Sequence, residues 1–528
     1  MIYTLTALYP FLLLFILIIW LQRPALFAIP VVLLSTALGA YLVWNVEIVW
    51  FGIAAIKSLL VTVDIIYIII GVLILFQIQK KAGVFESFQQ IIEKVSDDRR
   101  VQAIIISWLF VSLLEGAAGF GTPGMIVAGL LVHIGFRPIL AVILPLIGGF
   151  VATTFGAVGV PITIGIAQGI PQYATANLLR EVTIQTALFH LILGTCIPLV
   201  ISCMTTYISS GSLRKGLTIW KFALVSGVAF TVPLYIIAVI FGPEFPSIGA
   251  ALLSLIFMFY LVKKKYLLPK TSYRFPHDEK IENRKTMQFS IPFLFKTLFP
   301  YCILVLLLAL SRINTLPFWE ILNRYSINVP SILNSPITHT LYPLYSPGFF
   351  LGITALISLI FLRLSKKEFS EVFVETGKRV VFPFVILFCT LLTVNILLYS
   401  DNNTNMLPSM LLYLVEKFGV VAIAVPLLAP FVGMIGAFVT GSVTLSNLLF
   451  ASLQYESALQ HGFSPHLILT MQTVGSSAGN MIAIHNIVAA ASVVRLYHKE
   501  SVVIRHTIIP TLLYVVAVTI LGIIFIIW

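Results

Sequence analysis

The stretch Leu113–Thr163 reads LLEGAAGFGTPGMIVAGLLVHIGFRPILAVILPLIGGFVATTFGAVGVPIT. It is strongly apolar, yet it holds a carboxylate at Glu115, glycines at Gly116, Gly119, Gly121 and Gly124, and prolines at Pro123 and Pro161. Inside a helix glycine costs about 1 kcal/mol and proline about 3 kcal/mol relative to alanine. A sequence that sets both beside an acid in an apolar run therefore marks an interrupted helix. Broken backbone survives in lipid only where protein buries it or where it lines a watery cavity. This stretch is accordingly the first candidate for a substrate site.

The rest of the chain supplies the lipid setting. Of its 528 residues 59% are hydrophobic and 10% charged, with a mean hydropathy of +1.04, against roughly 25% charged residues in soluble domains. Apolar runs near the ~20 residues that cross a bilayer recur from Thr4 to Trp528, and hydropathy predicts about 12 to 15 membrane segments. The chain reads as an all-α, polytopic membrane protein. The first apolar run lacks the basic leader and small-residue cleavage site of a secretory signal and is read as a span. The four cysteines, Cys196, Cys203, Cys302 and Cys389, follow no disulfide or metal spacing and read as packing residues.

A formal charge of +12 would suggest nucleic acid in a soluble protein, but here its distribution argues against such a partner. Most of the 32 lysines and arginines fall in clusters at Lys80–Arg100, Arg214–Lys221, Lys263–Lys285, Arg363–Arg379 and Arg495–Arg505. Connections such as Asn45–Val49, Gly242–Pro246 and Ser400–Pro408 hold none, and Ser311–Pro347 holds only Arg312 and Arg324. The positive-inside bias places the clusters in the cytoplasm and both termini outside. The basic interval near the midpoint reads as a cytoplasmic linker, 263–290, between an N-terminal half, 1–262, and a C-terminal half, 291–528.

The second half echoes the first. Gly433–Asn447 reads GMIGAFVTGSVTLSN and Gln472–Asn486 reads QTVGSSAGNMIAIHN. Breaks are 40 residues apart in the first half (Gly116 to Gly156) and 39 in the second (Gly436 to Gly475). Matched interruptions in two halves point to the binding site of a repeat-built transporter, and the pattern predicts two inverted repeats.

Glu115 stands out among the candidate residues. It lies 15 residues beyond Arg100, about 22 Å along a helix and well inside a ~30 Å core. An acid there costs at least about 2.5 kcal/mol to insert and suits a group that takes up and releases a proton as its exposure alternates; a structural, backbone-capping acid is the alternative. Asp64, in VTVDIIYIII, is a second intramembrane acid, with a relay or a vestibule-facing role. Thr440, Ser442, Thr444, Ser446 and Asn447 offer hydroxyls and an amide where a broken helix would expose backbone N–H groups to an anion. The same oxygens suit Na⁺, or plain interhelical hydrogen bonding. Gln472, Ser476, Ser477, Asn480, His485 and Asn486 form the partner region. His485 is a possible proton carrier or a packing residue, and His133 and His190 read as packing residues. No arginine lies deep in a span, which leaves Arg137 and Arg180 as attractors for an anion or as interface anchors.

EGAAGFGTP, FGAVGVPI, GPEFPSIGAALLSL, FVTGSVTLSNLLFASLQ and GNMI, in that order, resemble the L-lactate permease family of bacteria and archaea. The similarity runs from about Ile65 to the C-terminus. It implies a permease of a prokaryotic cytoplasmic membrane, proton-linked uptake of L-lactate with D-lactate and glycolate as further substrates, and an ion-transporter fold with inverted repeats and re-entrant hairpin tips. Two departures fall in the second-half site. Val443 stands in Gly441-Ser442-Val443-Thr444 where some members have Gly-Ser-Asp-Thr. Ala483, Ile484, His485 and Asn486 stand where some have Ser-Pro-Gln-Ser.

These readings combine into one expected mechanism. A small monocarboxylate meets backbone amides around Gly119, Gly121 and Thr122 and around Gly441, Ser442 and Thr444, with Gly156 at the facing break. Its hydroxyl bonds Thr122, Ser442 or Asn480, and Glu115 carries the proton. No cofactor or metal is expected. The alternatives are another small anion or Na⁺ coupling on the same architecture, and an intramembrane enzyme, for which no catalytic pattern is present. The sequence leaves the oligomeric state open.

Overall fold

The computed structural model describes residues 2–21, 23–85, 87–88, 96–119, 121–269, 271–275, 278, 291–312, 317–418, 424–497 and 499–527. Lys94, Lys270 and the linker residues Lys280, Arg284 and Lys285 lie outside the described residues. Nearly everything described is helical, apart from a two-stranded antiparallel hairpin, Ile327–Val329 with His339–Leu341. Ten helical stretches are long and apolar enough to cross a membrane, and five shorter apolar helices accompany them. The chain is a multi-pass, all-α membrane protein. The shorter helices explain why counting spans from sequence gave only a range. Two of them, Thr122–His133 and Ala424–Thr440, are limbs of hairpins that do not cross.

Both hairpins follow from the interruptions. The Arg99–Ala117 helix starts at Asp98, whose carboxylate accepts from the Arg100 N–H at 2.9 Å, and it is buried along its whole length. After the break the chain returns as Thr122–His133. Arg99 donates to the Ile134 carbonyl at 2.7 Å, so both ends of this first hairpin meet at one face. The next segment, Pro138–Thr153, climbs back to a second break and continues over 161–169, π-wound through Pro161–Ile166. In the C-terminal half Ala424–Thr440 and Val443–Gln460 form the second hairpin, and Pro465–Gly479 and Ile484–Val493 the second broken span.

The basic clusters gather on the face where the first hairpin is anchored. Arg100 donates to the Lys215 carbonyl at 2.6 Å and pairs with Asp98, Arg99 pairs with Asp278 at 2.7 Å, and Lys81 pairs with Glu371 at 2.5 Å. Loops without lysine or arginine join at the other face: Trp44 Nε1 donates to Pro408 O at 3.0 Å and Val46 bridges Asn403. The four broken segments interlock across the halves. Thr122–His133 runs beside Ile484–Val493, and Val443–Gln460 beside 161–169. In both pairs the limbs are parallel: Gly121 lies against Asn486 and Gly129 against Val493, while Gly165 meets Thr444 and Asn447, and Gly169 meets Ala451. The two hairpins therefore enter from opposite faces. Alongside, Ile48–Lys81 packs on Pro347–Phe361 and on Lys366–Leu398, forming a wall against the hairpin tips.

Candidate substrate site at four broken helices

The breaks meet. A narrow cavity of about 30 Å³ is lined by Glu115, Gly119, Gly121, Thr153, Gly156, Ala157, Pro161, Gly441, Ser442, Val443, Thr444 and Asn480. Each stretch of the wall comes from an interruption. Gly119 and Gly121 adopt φ of +58° and +73° and Gly441 +72°, a conformation that costs other residues about 1–2 kcal/mol. A Cβ on Gly121 would sit 2.6 Å from Asn486 Oδ1. The break after Thr153 is sharper. Ala157 and Val158 are left-handed at +45° and +59°, followed by Gly159 at +78°. A β-branched residue there is an outlier, and strain of this kind persists only where surroundings fix it. A Cβ at Gly159 would collide with the Pro243 carbonyl. The neighbouring Glu244 is pinned by Arg312, which also donates to Tyr345 O at 3.1 Å. Behind the same break Thr154 Oγ1 bonds His190 Nε2 at 2.8 Å, and His190 Nδ1 bonds Tyr514 Oη at 2.8 Å.

The electrostatics follow from the helix ends. Half-helices begin here at Thr122, Pro161, Val443 and Ile484, and the first amides of a helix have no acceptor within it. Their partial positive ends favour an anion. Ser442 Oγ accepts from the Leu445 N–H at 3.3 Å, and the Asn480 amide oxygen accepts from Asn486 Nδ2 at 2.6 Å. The Asn486 Oδ1, buried and facing Gly121, has no donor among the described residues. Glu115 is the only ionisable residue in the lining and is 6% exposed. No described residue gives its carboxyl a hydrogen bond or an ion pair.

Of the residues expected at the site, Glu115, Gly119, Gly121, Gly156, Gly441, Ser442, Thr444 and Asn480 come together here. Thr122 and His485 face an adjoining chamber of about 210 Å³, where His485 stacks at 5.9 Å on Phe382. Ser446, Asn447 and Ser476 stand behind the wall. Ser446 Oγ bonds Ser476 Oγ at 2.8 Å and Gly433 O at 3.0 Å, and Asn447 Nδ2 donates to Pro161 O at 3.0 Å. They clamp the tips and do not line the cavity. Asp64 is elsewhere: its carboxylate lies 3.0 Å from His339 Nε2, beside Lys57, which donates to Thr338 O at 2.9 Å. It faces the Ile327–Leu341 hairpin, away from the small cavity. Sequence reading marked Pro161 only as a helix breaker and passed over Thr153 and Ala157. It also passed over Arg379, which borders the chamber and a vestibule of about 640 Å³ on the basic face with Lys80 and His133. Among the described residues no group of His, Cys, Asp and Glu could hold a metal ion.

Comparison with known proteins gives the family. The family model for L-lactate permease matches residues 3–527. The chain belongs to the L-lactate permease family. The L-lactate permease of Bacillus subtilis strain 168 is 31% identical over 491 residues, covering 86% of this chain and 83% of that one. The glycolate permease GlcA of Escherichia coli K12 is 28% identical over 484 residues, covering 85% and 82%. The L-lactate permease of the same strain is 28% identical over 477 residues, with 85% and 82% covered. This L-lactate permease family member thus has its broken helices in a chain that matches its relatives almost end to end, and the family is one of transporters.

Proposed function

We propose that this chain is a secondary transporter that takes up L-lactate, with D-lactate and glycolate as further substrates, across the cytoplasmic membrane together with a proton carried by Glu115. The observation behind this reading is the composition of the small cavity: three helix N-termini in its wall, at Gly121, Pro161 and Val443, hydroxyl and amide groups, one carboxyl and no cation. Helix ends and free amides suit a carboxylate. The carboxylate sits among the amides of Gly119, Gly121, Val443 and Thr444, since those of Thr122, Gly441 and Ser442 already donate to Gly119 O, Ala437 O and Thr440 Oγ1, with Ser442 and Asn480 placed for the 2-hydroxyl. A second carboxylate in such a space repels the first, so Glu115 is neutral when the site is loaded. Proton and anion then cross as one neutral load, and the empty carrier returns after Glu115 has released its proton.

The basic face is cytoplasmic by the positive-inside bias. The vestibule with Lys80 and Arg379 on that face is then the inner approach to the site, and Asp64 and His339 lie on the outer side. The crosswise pairing of limbs supports two inverted repeats, one in each half of the chain. The test is uptake of labelled L-lactate into proteoliposomes under an imposed pH gradient, with and without Na⁺. Accumulation that follows the pH gradient, ignores Na⁺ and is blocked by D-lactate and glycolate is the expected result. Uptake that needs Na⁺ and survives collapse of the pH gradient would move the coupling to the Ser and Asn cluster, and absence of lactate flux from folded protein would refute the reading.

A further inference from the structure

The small cavity lies beside a much larger, mainly apolar chamber, whose polar wall is Thr122, Thr440, Ser442, His485 and Arg379. Its volume is about 210 Å³, and its walls include Ile69, Val72 and Leu73 from one side, Phe382 and Ile386 from the other, and Leu445. An apolar cavity of about 150 Å³ is enough to take up benzene. The chamber also shares Gly441 and Ser442 with the small cavity, the two residues at the tip of the second hairpin. A carboxylate held at that tip lies where the two cavities share their wall. Lactate presents a methyl group there and glycolate a hydrogen, and neither fills the space.

We infer, resting on the reading above, that the chamber receives the side chain of larger 2-hydroxymonocarboxylates, branched-chain and aromatic, and that these acids are carried as well. Carboxylate and hydroxyl stay on the amides and Ser442, and the apolar tail lies between Leu73 and Phe382. Burying a methylene is worth about fourfold in affinity, so the three further carbons of 2-hydroxy-4-methylpentanoate give at least about a tenfold gain over lactate when the tail is only partly enclosed. The narrow cavity alone has no room for such a tail.

The experiment uses the full chain in proteoliposomes, with labelled L-lactate as the reporter. The expected result is that 2-hydroxy-4-methylpentanoate and 3-phenyllactate compete with an inhibition constant about tenfold below that of unlabelled lactate. Vesicles preloaded with either acid should drive counterflow of labelled lactate. Leu73→Trp and, separately, Val72→Phe fill the chamber without touching the amide site. Each should keep lactate uptake within about twofold while raising the inhibition constants of the large acids tenfold or more. Lactate uptake itself shows that each variant is folded. Normal lactate transport with no competition by the large acids overturns the inference. So does competition without counterflow, or competition that both filled variants leave unchanged, which would leave the chamber to a lipid acyl chain. A wild-type protein that moves no lactate fails at the permease reading, one step earlier.

Discussion

Replacing Glu115 with glutamine isolates the charge on which the proposed coupling depends. A cavity of about 30 Å³ brings any bound carboxylate within roughly 5 Å of the Glu115 carboxyl, and no described cation intervenes. At an effective dielectric of about 20, two like charges at that distance repel by about 3 kcal/mol, roughly a hundredfold in affinity. The sign is fixed by the neutral form being the binding form. On the proposed mechanism wild-type affinity for lactate should be full at low pH and fall, by up to about a hundredfold, as pH rises and Glu115 ionises. Glu115→Gln keeps the hydrogen-bonding shape and removes the charge, so its affinity should be flat with pH. Transport shows the second consequence. A gradient of one pH unit stores 1.36 kcal/mol per proton, enough for about tenfold accumulation by one-proton symport. Glu115→Gln should retain lactate counterflow while its accumulation ratio drops from about ten to about one. The assay is labelled lactate in proteoliposomes, corrected for diffusion of lactic acid into protein-free vesicles. A folded Glu115→Gln protein that still accumulates lactate tenfold, or whose affinity still falls with pH, refutes the assignment.

Other perturbations separate the wall of the cavity from its supports. Gly121→Ala forces a left-handed alanine whose Cβ sits 2.6 Å from Asn486 Oδ1, at a cost of about 1–2 kcal/mol from the backbone alone; lactate uptake should be lost in protein that still reaches the membrane. Gly124→Ala, three residues on, meets nothing within 4 Å and should leave uptake unchanged. Asp64→Asn should preserve pH-driven accumulation, because Asp64 pairs with His339 outside the cavity. Arg312→Ala leaves Glu244 buried without its partner, a loss of about 3–5 kcal/mol for a buried pair, and should lower the melting temperature of the detergent-solubilised protein.

The place of Glu115 and the glycine tips at a break was legible because glycine and proline are costly inside a helix in an apolar run. The second break was legible only in part. Gly156 marked it, but Val158 in a left-handed turn gives no warning, since a β-branched residue normally signals the opposite conformation. Ser446, Asn447 and Ser476 carry the same residue types as Ser442 and Asn480, and composition cannot tell a cavity wall from the network behind it. Arg379 was hidden by its company: within a basic run at the start of a long helix it reads as a marker of topology. The crosswise pairing of half-helices left no local trace, because it joins residues far apart in the chain, as Asn447 does to Pro161, 286 positions away, through one hydrogen bond next to the tips.

That pairing sets an order of events during synthesis. Thr122 and Pro161 begin half-helices whose neighbours, Ile484 and Val443, are made some 300 residues later. At a ribosomal rate of about 5–20 residues per second the interval lasts roughly 15 to 60 seconds. Throughout it the first pair of helix ends sits in the bilayer with open backbone groups, which lipid cannot satisfy. The nascent N-terminal half therefore needs a temporary cover, from the insertion machinery or from its own segments held in another arrangement. Only the arrival of the last hundred residues exchanges that cover for the finished site.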